Sequence, residues 1–177
     1  MRRIGTIVSA VVLVAIAAHA GAYASVGSFT DQRGLRFALD DLRGHPTVLT
    51  FVSAHCTDAC PLIEADIAAA AVHERAIHGR LRFFTVTLDP QRDSIGDIRH
   101  IASIYGADPS YWRVARGSLD RTRELLDTFG VVEARDRDGY ETAHTTLVYV
   151  VNSAGRFVGS LLPSEHLTTQ LASAEDL

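Results

Sequence analysis

The sequence predicts a single α/β domain in which a mixed β-sheet is flanked by helices. Three observations carry this prediction. The runs "TVLTFVS" (47–53) and "LRFFTVTL" (81–88) are β-branched and apolar on both faces, as strands in the middle of a sheet are. A helical stretch separates them, the arrangement that joins parallel strands through a crossover. The last third of the chain reads as a hairpin followed by a helix, which adds antiparallel strands to the parallel pair.

Each element follows from local chemistry. "SFTDQRGLRFAL" has short apolar runs around Gln32-Arg33-Gly34 and reads as a hairpin. "DDLRGHP" is a turn or short helix, and strand 47–53 then runs directly into "AHCTDACP". Pro61 suits the first position of a helix, with Cys60 near the N-cap. "LIEADIAAAAVHERAIHG" continues that helix, with Leu62, Ile63, Ile67, Ala70 and Ile77 on roughly one face and Gly79 at its end. Asp89-Pro90 stops strand 81–88. Ser94 caps a helix over "IGDIRHIASIYG", and "SLDRTRELLDTFG" is a stronger helix closed by Gly130. "TTLVYVV" (145–151), the turn "NSAG" and "RFVGSLL" form the terminal hairpin, and "SEHLTTQLASAEDL" is a C-terminal helix. The order ββ-βα-β-α-α-ββ-α is compatible with a thioredoxin-like sandwich. No internal repeat interrupts it.

The chain has 177 residues, enough for one domain with a substantial core. It is 47% hydrophobic and 21% charged, an ordinary globular balance. All 17 Lys/Arg positions are Arg, spread along the chain, and the net charge is −4, so nucleic-acid binding gets little support. The N-terminus is different in kind. Arg2 and Arg3 precede an uncharged run from Ile4 to Ala24 that ends in small residues. That pattern predicts a signal peptide or membrane anchor over residues 1–24, with the domain over 25–177 exported to the outer face of the cytoplasmic membrane or the periplasm.

Export changes what two cysteines mean, because thiols outside the cytosol tend to oxidise. Cys56 and Cys60 are four positions apart, where a disulfide and a shared metal ion are both within reach. Both follow the carboxyl end of a strand, where working groups gather in open α/β sheets. A cysteine at a helix N-terminus is favoured as thiolate, the form that attacks disulfides and binds metal. Of eight histidines, His73, His78 and His100 sit in polar helical settings, His45 and His166 in loop or helix-start settings. His55 adjoins Cys56, and adjacent side chains diverge. His144 stands just ahead of the apolar run 145–151, where a thioredoxin-like sheet would turn it toward the cysteine loop. Two thiolates and an imidazole, Cys56, Cys60 and His144, form a soft, low-coordinate set that suits copper as Cu(I) or Cu(II). Structural zinc wants four protein ligands, and no fourth is evident.

These residues together resemble the Sco/SenC family of thioredoxin-fold copper chaperones. The resemblance rests on Cys56-Thr57-Asp58-Ala59-Cys60-Pro61 after an apolar strand, Asp89-Pro90-Gln91-Arg92-Asp93, and a distant His144 before a strand. It extends from about Phe29 to Leu162. It implies copper delivery to the copper-A centre of cytochrome c oxidase, with Cys56, Cys60 and His144 as ligands. The oxidase subunit carrying that centre is the implied client, with copper-donor and thiol-reductant proteins as further partners. Asp89 and Asp93 would organise the loop or serve as plain caps. Thr57 departs from the family pattern, which commonly has Pro between the cysteines.

Two other functions remain open on the sequence. Cys56 and Cys60 could be the redox pair of a thiol–disulfide oxidoreductase that reduces a client's copper-site cysteines. Against a general enzyme of that kind stand the Cys-x-x-x-Cys spacing and the absence of Pro from "YETAHTTLVYV". The third reading is a structural disulfide in a domain with an unrelated ligand, which leaves His144 incidental.

Overall fold

The computed structural model describes residues 28–56, 59–164 and 166–172. The expected leader (1–24) lies outside them, as do the last residues of the expected C-terminal helix. Among the described residues no helix is long and apolar enough to cross a membrane.

The chain opens with β1 (Ser28–Asp31) and β2 (Arg36–Ala38), then a 3-10 turn at Leu39–Leu42. β3 (Thr47–Val52), α1 (Ala59–Ala76) and β4 (Arg82–Thr87) follow as a crossover unit, then α2 (Ile95–Ile104), β5 (Trp112–Arg116) and α3 (Leu119–Phe129). β6 (Glu133–Arg135) and β7 (Glu141–His144) make a small hairpin. β8 (Val148–Val151), β9 (Phe157–Leu161) and α4 (Leu167–Ala172) complete the chain. Among the described residues, seven strands form one sheet in the order β2-β1-β5-β4-β3-β8-β9, while β6 and β7 form a separate two-stranded sheet. β3, β4 and β5 run parallel, and β1 and β8 flank them antiparallel. This is the mixed, helix-flanked sheet that the sequence predicts.

Alternation along the central strands supplies two cores. Val48 and Val52 join Ile63, Ile67, Phe83 and Trp112 on the α1 side. Leu49 and Phe51 join Phe84, Leu125, Phe129 and Tyr149 on the α3 side. β3 is buried along its whole length, so both of its faces had to be apolar. Ser94 caps α2 by accepting from the Gly96 and Asp97 amides, and Gly130 (φ +65°) ends α3 in the left-handed conformation.

Three strands depart from the expected order. β5 is a short run with an arginine at its end, and β6 and β7 are polar, so none shows the long apolar signal by which strands are read. Tertiary pairing makes them strands: β5 takes one edge of β4, and the Gln32 side chain donates to the carbonyls of Ala107 and Trp112 and accepts from the Val114 amide. The end of α1 also differs. His78, not Gly79, adopts the left-handed conformation (φ 55°), and the Gly79 amide donates to the Glu74 carbonyl at 2.8 Å. A Cβ at Gly79 would lie 1.8 Å from the Glu74 carboxylate, so a larger residue there requires that side chain to move. Leu62 and Ile77, expected on the buried face, are 70% and 52% exposed, so the buried stripe runs through Ile63, Ile67, Ala70 and Ala71.

Candidate functional site

β3 delivers the cysteine loop at its carboxyl end, and α1 begins within it. Cys60 is the second residue of α1 and Pro61 the third, so the helix begins two residues earlier than expected. Cys60 is buried and Cys56 half-buried, and no disulfide joins them. The Cys60 amide donates to the Cys56 sulfur at 3.4 Å, so a first-turn N–H of α1 is aimed at that sulfur. Thr57 and Asp58, between the cysteines, lie outside the described residues.

His144 ends β7 and puts Nε2 3.5 Å from the Cys60 sulfur. Its Nδ1 lies 3.1 Å from the Thr145 carbonyl, which can only accept. The proton therefore sits on Nδ1, and the Nε2 lone pair faces Cys60. Burial lowers the imidazole pKa, opposed by the negative charge of Glu133, so the ring is neutral and able to donate to a metal at neutral pH. Among the described residues no three His, Cys, Asp or Glu side chains already stand as a metal cluster. Cys60 and His144 are together, while the Cys56 sulfur is engaged with the α1 amide. The structure thus brings one sulfur and one neutral nitrogen together, with the Cys56 sulfur joined to them through the Cys60 amide.

Of the other histidines, His100 lines the cavity beside Cys56 and Cys60, and the rest stand apart. His55 is 59% exposed, with Nε2 3.7 Å from Asp93. His73, His78, His100 and His166 are exposed, and His45 precedes the opposite end of β3. Asp93 organises the loop: its Oδ2 accepts from the Ala54 amide (3.1 Å) and from the Thr87 hydroxyl, tying the approach to Cys56 onto the end of β4. Burial raises the Asp93 pKa, and those two hydrogen bonds partly oppose the rise. Asp89 is buried as well, accepting from Arg92 at 2.9 Å.

Comparison with known proteins gives the same picture. Residues 18–176 match the SCO1/SenC family. The chain belongs to that family. It is 28% identical over 135 residues to the SCO2-like protein of Rickettsia prowazekii, covering 72% of this chain and 63% of that relative. The chain thus spans less than two thirds of the length of this curated relative. Among solved structures it is similar to a SCO1/SenC family lipoprotein from Bacillus anthracis, with a TM-score of 0.76, 21% identity and coverage of 84% and 90% of the two chains. It is also similar to ScoI of Bradyrhizobium japonicum with copper bound, with a TM-score of 0.66, 25% identity and coverage of 83% and 96%. The fold of this SCO1/SenC protein is therefore the thioredoxin-like one its sequence predicts.

One group at the site escapes the motifs. Glu64, one turn after Cys60 on α1, is 2% exposed. A cavity of about 170 Å³ is lined by Cys56, Cys60, Glu64, Ile104 and Tyr105. Thr50 and Thr85 each approach one Glu64 oxygen at 3.2 Å and each other at 2.9 Å, while the Trp112 indole donates to Thr85 at 3.0 Å. Three oxygen–oxygen contacts close this ring, and two hydroxyls bring only two protons. The third proton must come from Glu64 itself, so the ring is satisfied when the carboxyl is neutral. Burial agrees, pushing the Glu64 pKa up to about 7 against the pull of the two threonine hydrogen bonds. The signal was in the sequence: Glu64 interrupts the apolar stripe Cys60, Ile63, Ile67, Ala71 of α1.

Proposed function

We propose that this SCO1/SenC protein is a copper metallochaperone that holds one copper ion with Cys56, Cys60 and His144 and delivers it to the copper-A centre of cytochrome c oxidase. The carrying observation is the neutral His144 ring, its Nε2 lone pair 3.5 Å from the Cys60 sulfur. Two thiolates and one imidazole fit copper better than a hard cation. The copper-bound Bradyrhizobium relative and the family match support the same cargo. Export by the N-terminal segment puts the domain on the side of the membrane where the copper-A subunit of the oxidase is loaded. The copper donor and the thiol reductant are separate proteins acting at the same face.

Loading follows the thiol state. Each ligating thiol releases its proton to solvent as copper binds, and His144 is already deprotonated at Nε2. Copper leaves by stepwise exchange, a client thiolate or imidazole replacing one protein donor at a time. Oxidation closes the site: a partner disulfide accepts two electrons and two protons, and Cys56 and Cys60 become a disulfide with no thiolate left for metal.

A second reading is favoured by the unequal exposure of the two thiols. Half-buried Cys56, with an N–H aimed at its sulfur, can attack a client disulfide, and buried Cys60 can then resolve the mixed disulfide. In that role the protein reduces the client's copper-ligand cysteines.

Copper titration of the reduced protein separates the readings, following stoichiometry and the sulfur-to-copper charge-transfer band. The expected result is one copper per chain, with affinity falling at least about 100-fold in His144→Ala and lost on prior oxidation. Affinity indifferent to His144 overturns the three-ligand site. Absence of specific copper binding together with rapid disulfide exchange favours the reductase.

A further inference from the structure

The β6–β7 hairpin carries His144 but belongs to a two-stranded sheet of its own. Such a hairpin is marginally stable in water without outside support. At its root the Thr145 amide donates to the Val132 carbonyl at 2.9 Å and the Val132 amide to the Thr145 hydroxyl at 3.1 Å. These bonds close the hairpin on itself and do not attach it to the sheet beneath.

Two guanidiniums make that attachment. Arg135, on β6, donates from Nη2 to the Leu88 carbonyl at 3.1 Å, and its Nη1 lies 3.5 Å from Asp89 Oδ2. Arg92 crosses the other way. Its Nη1 donates to Asp89 Oδ2 and to the Gly139 carbonyl, both at 2.9 Å, and its Nη2 donates to the Asp138 carbonyl at 2.8 Å. The Gly139 carbonyl, in a turn with φ +79°, also accepts from Arg135 at 3.0 Å. The buried Asp89 carboxylate therefore sits between one guanidinium from each side of the seam. Glu133 grips Arg135 at 3.1 and 2.8 Å, and Glu133 is the cross-strand partner of His144. The residue paired with the imidazole thus holds the guanidinium that ties the hairpin down.

We propose that the Arg135–Asp89–Arg92 latch positions His144 over Cys60, with Arg135 as the positioning residue of the imidazole. The proposal rests on the reading of His144 as a copper ligand. Arg135 touches neither the sulfurs nor the ring; it acts through Asp89, Leu88 and Glu133. A planar fork reaches two acceptors at once, which an ammonium cannot do in the same geometry.

The test uses the full chain with Arg135→Gln, Arg92→Gln, Arg135→Lys and His144→Ala. Amide hydrogen exchange is read without metal; affinity and imidazole nitrogen coupling in the electron paramagnetic resonance spectrum are read with Cu(II). The expected result for Arg135→Gln and Arg92→Gln is faster exchange confined to residues 133–144, with β3 and β4 protection unchanged and both thiols still titrating. Copper affinity falls about 10- to 100-fold, as for loss of a group that orients a ligand, and nitrogen coupling weakens. Arg135→Lys restores only part of both. Unchanged hairpin protection and coupling in Arg135→Gln overturn the latch. Lost protection spreading through β3 and β4 overturns it too, because Arg135 is then a general structural residue. If His144→Ala leaves affinity and coupling unchanged, the copper reading of His144 fails on its own measurement, separately from the metal-free exchange that tests the latch.

Discussion

The seven-stranded sheet and the β6–β7 hairpin are held by different forces. β3 is buried from Thr47 to Val52, and β4 brings Phe83 to one core and Phe84 to the other. The hairpin leaves Val132 and Tyr140 72% and 51% exposed and is tied down by ion pairs and carbonyl contacts. Apolar burial is not screened by salt, whereas partly exposed ion pairs weaken with it. The sulfur half of the site is therefore mounted on the core and the imidazole half on a charged seam. In the copper role proposed above, this division leaves one side of the site in place while the other can yield.

The largest effect should come from the core. Phe84 is 2% exposed and meets Phe29 and Phe37 edge-on at ring separations of 5.6 and 5.4 Å. Phe84→Ala should cost about 3–5 kcal/mol in urea unfolding while the hairpin keeps its amide protection relative to the sheet. A loss below about 1 kcal/mol would break the comparison, because the sheet would not then depend on this packing.

Glu64 sharpens it next. The folded state binds its proton more tightly than the unfolded chain does, since burial raises its pKa from 4.5 to about 7. Its contribution is complete below about pH 4.5 and is lost as pH rises through about 7, a fall of up to about 3 kcal/mol. Asp93, also raised by burial, adds to the fall at low pH, and His144, lowered by burial, works in the opposite direction. Glu64→Gln should flatten the stability–pH profile between 5 and 7.5. A profile identical to that of the unaltered protein would show that Glu64 is not the neutral member of the threonine ring.

The smallest effect belongs to the hairpin. The Arg92 guanidinium lies 4.1 Å from the Tyr140 ring centroid at an exposed position. Tyr140→Leu should raise hydrogen exchange in residues 133–144 about 2- to 5-fold, the equivalent of about 0.5–1 kcal/mol, and leave the urea midpoint in place. A shifted midpoint would mean that hairpin and sheet unfold as one unit.

Most of the layered architecture was legible because its signals are local and strong. Runs such as 47–53 and 81–88 have one reading as strands, and Ser94 and Gly130 mark helix ends by their own chemistry. β5, β6 and β7 were not legible, because a three- to five-residue strand gains its identity from the neighbour it pairs with. At the site, the two cysteines and His144 stood out by type and position, while Asp89 and Asp93 entered through the family resemblance. Arg135 did neither, being one arginine among 17 in a polar stretch. Leu62 and Ile77 misled, since an apolar side chain near the edge of a helical stripe is buried only if something lies across from it.

The sequence by itself determined the parallel strand pair, the helix that begins at the cysteines, the soft character of the donor set and the family to which the chain belongs. Those are written in residue type and near-neighbour spacing. Only the tertiary structure decided that His144 meets Cys60 across 84 positions of chain, that its Nδ1 carries the proton, that Glu64 closes a hydrogen-bond ring as a neutral acid, and that two arginines share Asp89. Each of these depends on distance and burial between segments remote in sequence, and electrostatics inside a protein is set by what folding brings close and by how much water it removes.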